Sequence, residues 1–292
     1  SCPVNHCRRF RTLTRTTKRQ TDLMQVVIVG AVYTGRRVLE RLGEERALGL
    51  TRSLLDLDQP SASAPELPGA YDLLYTVPPR SDDPGDPRLE TLLSHLKPAP
   101  NRFVYLSTTG VYGDRGGRRV DETATVAPST DRAKRRVSAE ALLQTWCNEH
   151  DTELVILRVP GIYGPGRLGV ERLRNGTPVI AEAEAVPGNR IHVDDLAACC
   201  IRALEADAPA GIFNVGDGDH RSSTSFAKSV ARLAGLSAPP EISRADAEDT
   251  FGEGRLSFLR ESRIVDTRQM QDVLGFVPRY TDPEAGIRAS LD

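Results

Sequence analysis

Short apolar runs alternate with amphipathic stretches along most of this chain. Residues 25–29 carry four consecutive β-branched side chains, Val26, Val27, Ile28 and Val29, and predict a strand buried on both faces. The run breaks at Gly30 and resumes as a predicted helix with Val38 and Leu42 on one face. Further strands are predicted at 47–51, 54–57, 71–77 (stopped by Pro78-Pro79), 103–107, 154–158 and 211–215. Helices are predicted within 84–97, where Leu89, Leu92, Leu93 and Leu96 share a face, over 138–150, from Asp194-Asp195 onward, and over 225–236. Strands and helices alternating in this way predict an α/β fold built on a doubly wound parallel sheet. One joint fits badly. The run at 54–57 follows 47–51 almost directly, whereas parallel neighbours need a crossover of about a dozen residues or more. Either a helix has been lost there, or one of the two strands is misread.

Charge and cysteine usage narrow the function classes. At 292 residues the chain suits one large α/β domain, alone or with a lobe. Its net charge of −2 conceals an asymmetry: residues 1–20 carry six basic residues and no acidic one, leaving 32 basic against 40 acidic in the rest. So acidic a body has no electrostatic reason to hold nucleic acid. No apolar run approaches the roughly 20 residues that span a bilayer. Residues 1–24 read as a disordered basic extension: a transit peptide, a basic arm, or sequence upstream of a true start at Met24. The last is expected, because the first strand begins directly after Met24. Cys2, His6 and Cys7 lack a second Cys/His pair to complete a zinc site. Cys147, Cys199 and Cys200 fall in helical patterns and are predicted to be buried thiols of a reducing, cytoplasmic compartment.

Gly30 and Gly35 hold the first and third places of G-x-G-x-x-G, the strand-to-helix turn that rests a pyrophosphate on a helix N-terminus. Val32 stands at the second place and is expected to push a dinucleotide outward or tilt it; Tyr33 and Thr34 complete the turn. Four more segments follow in order: STTGVYGD (107–114), RVPGIYGPGR (158–167), NRIHVDDLA (189–197) and FNVGDGD (213–219), with LGFVPRYTDPEAGI (274–287) near the end. Together with the opening turn they resemble the extended short-chain dehydrogenase/reductase superfamily, in its NAD-dependent epimerase/dehydratase-like branch, from about residue 25 to 287. The resemblance implies a Rossmann fold with a small C-terminal substrate lobe. The dinucleotide-binding domain would cover 25–166, with 189–216 returning to it, and the lobe would comprise 167–188 and 217–292.

By the same resemblance, Thr108 takes the place of a catalytic Ser or Thr, and Ser107 lies beside the cofactor. Thr109 and Gly110 stand where the family's dehydratases carry acidic residues, which argues against a sugar dehydratase of that kind. The family's Tyr-x-x-x-Lys falls on PSTDRAKRRVSAE (128–140). Aligned on Glu140, Arg132 takes the Tyr place and Arg136 the Lys place; aligned on Lys134, Thr130 takes the Tyr place. Neither register supplies a tyrosine, and Arg and Thr titrate far above neutral pH. Arg136 can still hold ribose hydroxyls. Tyr112 and Tyr163 are the remaining phenols in the expected cleft, Tyr163 where the family contacts nicotinamide. The segment also reads as a solvated helix start capped by Ser129 or Thr130. His192 beside Asp194 and Asp195 invites a hydrolase triad, but no G-x-S-x-G elbow presents a nucleophile. The resemblance makes His192 a packed residue and an Asp the cap of a helix.

An NAD site places an acid at the end of the second strand. Here Arg52-Ser53 stand there, with no acid in reach before Asp56, which favours NADP while leaving NAD possible. Asp56-Leu57 and Thr76-Val77-Pro78 resemble the family's contacts to adenine and its ribose. Thr109, Asn189 and Arg263 are candidate substrate contacts. Two functions follow. One is an NADP-binding oxidoreductase or epimerase-like enzyme, monomer or homodimer, acting on a small hydroxylated or carbonyl substrate such as a sugar nucleotide. The other is a non-catalytic NADP(H) sensor on the same fold.

Overall fold

The structure is a computed structural model that describes residues 25–59, 65–252, 255–256 and 259–291, so the basic N-terminal extension lies outside it. Six parallel strands form the central sheet: β1 Gln25–Val29, β2 Ala47–Leu50, β3 Tyr71–Tyr75, β4 Arg102–Thr108, β5 Glu153–Val159 and β6 Gly211–Asn214. Their order is β6-β5-β4-β3-β1-β2. Both faces are covered, which is why the strands read as unbroken apolar runs. Val26 and Ile28 pack with α1 (Thr34–Leu42) on one side. Val27 and Val29 pack on the other with α2 (Pro87–His95) and α3 (Asp131–Glu149). The first face is completed by α4 (Val193–Leu204), whose Cys199 and Cys200 are fully buried. Cys147 lies buried on α3. Two further helices, α5 (Ser223–Leu233) and α6 (Pro283–Leu291), pack against each other and around Tyr163.

The awkward joint resolves against the second of its two strands. Residues 54–57 form no strand: the Leu54 and Leu55 N–H groups both donate to Thr51 O, at 3.0 and 2.9 Å, closing a helix-like turn. Leu55 and Leu57 are nonetheless buried in the core. Two apolar residues spaced by two mimicked a strand although they reach inward from a loop. β2 is therefore the sheet edge, and no helix occurs among the described residues between β2 and β3.

A second difference lies in α3, which begins at Asp131 rather than near 138. Thr130 caps it, its hydroxyl accepting the Ala133 N–H at 3.3 Å. The first two turns are basic and lack an apolar period, so the hydrophobic pattern shows only where the helix meets the sheet.

Candidate active site

β2 and β3 flank β1 on opposite sides, so the winding reverses there and leaves a crevice beyond the carboxyl ends of the strands. It opens into a cleft of about 1290 Å³. The glycine turn forms its floor. Gly30 has φ +92°, and a Cβ there would lie 2.6 Å from Thr76 Oγ1 and 2.8 Å from Val77 Cγ2. Thr76 donates its hydroxyl to Gly30 O at 2.7 Å, tying the ends of β1 and β3 together. At Gly35 a Cβ would lie 2.6 Å from Gly30 O, so the helix packs backbone-close on the turn. Val32 meets no such constraint: it is 68% exposed on the cleft rim. α1 starts without a side-chain cap and without an acid in its first turn, which leaves its N–H groups and its dipole for an anion. Tyr33 bridges the cleft, donating its hydroxyl to Pro165 O at 3.0 Å, with the Arg167 guanidinium 3.7 Å over its ring. Thr34 lines the floor beside it.

At the β2 end of the cleft the acid is closer to Arg52 than the sequence suggests. Arg52 is 71% exposed and pairs with Asp56 at 3.4 Å and with Asp58 at 3.2 Å. Asp58 also takes a two-pronged grip from Arg88 on α2, at 2.7 and 2.8 Å, which holds its carboxyl below the usual carboxylate range. Arg80 approaches the same carboxylate at 3.8 Å. Three guanidinium groups, Arg52, Arg80 and Arg88, thus converge on one acid. Leu57, Val77 and Pro78 line this end, whereas Ser53 does not and instead shares a hydrogen bond with Thr51.

The opposite end departs furthest from expectation. Thr108 lines the cleft, its hydroxyl oxygen accepting the Gly110 N–H at 3.1 Å; Thr109 lies buried beside it. Arg136 reaches the wall but donates from Nη1 to the Tyr105 hydroxyl and to Leu106 O, both at 2.9 Å. Tyr112 is not in the cleft. It is fully buried, donates to Asn214 Oδ1 at 2.7 Å and accepts from Arg158 Nη1 at 2.9 Å. Arg158 pairs with buried Glu140 at 2.7 Å, and Glu140 also takes the Ser107 hydroxyl. Ser107 and Tyr112 therefore belong to one polar network, which withdraws the Tyr112 hydroxyl from the cleft, whereas Ser107 lines the cleft with its hydroxyl donated to Glu140.

Tyr163 also drops out as a proton carrier. Its ring borders the cleft, but its hydroxyl is buried against Gly286 of α6, where a Cβ would collide with it. Burial raises that phenol well above its ordinary range. Asn189 spends its amide on structure, donating to Arg263 O and accepting from Val265 N–H, both at 2.9 Å. His192, rather than an Asp, caps α4: its Nδ1 accepts the Asp194 N–H at 3.1 Å, and its Nε2 meets Ser290 Oγ at 3.0 Å. Burial lowers its pKa, consistent with a neutral ring. Asp195 instead accepts the Arg279 and Tyr280 N–H groups.

One group was missed. Glu261, from the segment between 259 and 263, lines the cleft facing the start of α3, where it takes the Ser129 hydroxyl and pairs with Arg263 at 2.7 Å. Its carboxylate acts on Arg132, whose own pKa is lowered first by burial. Among the described lining residues ten are arginine and three are acidic, with no lysine or histidine.

The sequence profile of the NAD dependent epimerase/dehydratase family matches residues 89–216. Protein YeeZ of Escherichia coli is 30% identical over 220 residues, covering 72% of each chain. A dTDP-glucose 4,6-dehydratase of Mycolicibacterium smegmatis is 26% identical over 214 residues, 69% of this chain and 62% of that one. A functionally unknown conserved protein from Silicibacter pomeroyi superposes with TM-score 0.78 at 29% identity, over 91% of this chain and 97% of its own. Human epimerase family protein SDR39U1, solved with NADPH, superposes with TM-score 0.71 over 92% and 99% of the two chains, at an 18% identity that speaks for the fold alone. The parallel sheet, the glycine turn at its winding reversal and these likenesses agree, and the chain belongs to the NAD-dependent epimerase/dehydratase family.

Proposed function

We propose that this protein binds NADP(H) along the carboxyl edge of its sheet and acts as an oxidoreductase or epimerase-like enzyme on a hydroxylated or carbonyl substrate. The observation that carries the reading is the charge of the cleft: among its described lining residues, ten arginines against three acids, in a chain whose net charge is −2. Such a surplus suits a ligand with several phosphates. The residues fit the cofactor: the uncapped start of α1 would take the pyrophosphate, and the Arg52–Arg88 cluster a 2′-phosphate. Bound there, the nicotinamide would supply hydride transfer. Thr108 would orient the substrate hydroxyl or carbonyl, and Arg136 would lie beside the ribose. Solved relatives of the fold contain NADPH, NAD or UDP-glucose, which supports a sugar nucleotide as the substrate class. The division into a cofactor domain (25–166 with 189–216) and a substrate lobe (167–188 and 217–292) belongs to the same reading. A sensor without turnover is the second reading, favoured by the lack of an accessible phenol where the family keeps one.

Calorimetry tests the first step. The parent should bind NADPH more tightly than NADH, and Arg52→Ala should weaken NADPH by at least about tenfold while sparing NADH. A charge-assisted hydrogen bond contributes roughly 1.5–3 kcal/mol. Equal affinity of the parent for both cofactors would sink the NADP assignment.

A further inference from the structure

A proton must be moved when an alcohol and a carbonyl interconvert, and few groups in this cleft can move one. Its described lining holds no histidine, lysine or cysteine. Of its two phenols, Tyr33 donates to Pro165 O and Tyr163 is sealed against Gly286. Two of its three carboxylates, Asp56 and Asp58, lie at the β2 end within the arginine cluster. Among the described lining residues, Glu261 is the one that remains. Its side chain is 8% exposed, and it sits between Ser129 and Arg263, over the start of α3. Arg263 fixes the segment from the other side, donating to Gly113 O at 2.6 Å just past the turn that begins at Thr109. Arg132, which takes the place of the family's tyrosine when 128–140 is aligned on Glu140, lies within the electrostatic reach of this carboxylate.

We infer that Glu261 is the acid/base residue of this cleft, a carboxylate brought in from the C-terminal segment to do the work of the missing phenol. The inference rests on the oxidoreductase reading above. In the oxidative direction a secondary alcohol held by Thr108 loses its carbon-bound hydrogen, as hydride, to the oxidised nicotinamide. Its hydroxyl proton goes to the Glu261 carboxylate, and the C–O bond becomes a carbonyl. In the reverse direction the neutral acid returns the proton as the carbonyl carbon receives hydride. Arg263 pairs with this carboxylate at 2.7 Å, and Arg132 lies within its field. The other charged groups of this corner include Arg135 and Arg136 on α3, Asp114, which accepts the Ser262 N–H at 2.8 Å, and Arg115, whose N–H donates to Ser262 O. Thr108 and Glu261 divide the labour between orientation and proton transfer.

The test uses the full chain and its Glu261→Gln and Glu261→Asp variants. NADPH affinity and thermal midpoint are measured first, and both variants should match the parent within about twofold in affinity. Turnover is then followed by nicotinamide absorbance with UDP- and dTDP-hexoses, hydroxy acids and simple ketones. Glu261→Gln should lower kcat by the roughly 10²–10⁴-fold typical of lost acid/base help, with the acid limb of the pH profile abolished. Glu261→Asp should keep that limb at reduced rate. Turnover in Glu261→Gln within a few fold of the parent overturns the inference, as does NADPH binding without turnover on any member of the panel. A parent that binds no NADPH overturns the oxidoreductase reading itself, so the two failures are told apart by the first measurement.

Discussion

At the phosphate end of the cleft, Gly30 and Gly35 stand where the folded backbone has no room for a side chain, whereas Val32, the motif's middle place, points into open solvent. The first two are demanded by packing whether or not a ligand is present. The third serves only a ligand, and it is the one that differs from the pattern. At the chemical end the same division recurs. Glu140, Arg158 and Ser107 form a buried network that the fold depends on, while the segment 128–140, which by resemblance stands where the family keeps its Tyr-x-x-x-Lys, carries no tyrosine. Family motifs therefore combine two kinds of position. Those that hold the scaffold together identify the fold, and only the others speak of the reaction.

The largest effect should come from splitting the network. Glu140→Gln leaves Arg158 buried without its counter-charge, which typically destabilises by about 3–5 kcal/mol. Urea unfolding of this variant beside a Glu140→Met, Arg158→Met double variant should find the double variant the more stable of the two. If the single variant is no less stable than the parent, the network does not hold the scaffold and the comparison breaks.

Gly35→Ala probes the packing demand at the other end. Forcing a methyl group against Gly30 O should cost about 1–3 kcal/mol, outweighing the roughly 0.5–1 kcal/mol that alanine normally gains over glycine within a helix. A neutral or stabilising result would show that the turn can shift and that Gly35 is not held there by the fold.

Val32→Gly is the smallest and most discriminating change. If the side chain crowds a pyrophosphate, NADPH binding should tighten in spite of the added chain flexibility of about 0.5–1 kcal/mol. Unchanged or weaker binding would mean that the cofactor lies clear of the rim.

The sheet was legible because its strands are buried on both faces, and a run such as Val26–Val29 has no other way to satisfy four β-branched side chains. Leu55 and Leu57 misled for a related reason: burial leaves the same mark on a loop that turns inward as on a strand. The exposure of Val32 on the rim came only with the fold, whereas the glycine turn could be placed from spacing alone. The phenols could not, since adjacency to Thr108 says nothing about which way the short helical turn at Thr109–Tyr112 rotates the Tyr112 ring. Glu261 was the least visible. It meets Ser129 across 132 residues of sequence, in a segment without periodicity or motif, and only the folded chain brings the two together.

The loop that stands in place of a strand beyond β2 has a kinetic side. That wall of the cleft is fastened to α2 by the grip of Arg88 on Asp58, with Arg52 on the same carboxylate, and to the core by buried Leu55 and Leu57, and no sheet ladder backs it. Partly exposed ion pairs of this kind contribute only about 0.2–1 kcal/mol each and weaken as salt is added. Opening of the loop is then a local event that breaks these pairs and also brings Leu55 and Leu57 out of the core. Added salt should therefore loosen the charged half of this fastening while the two leucines hold the other half, so that the wall softens with ionic strength and the global unfolding midpoint stays still.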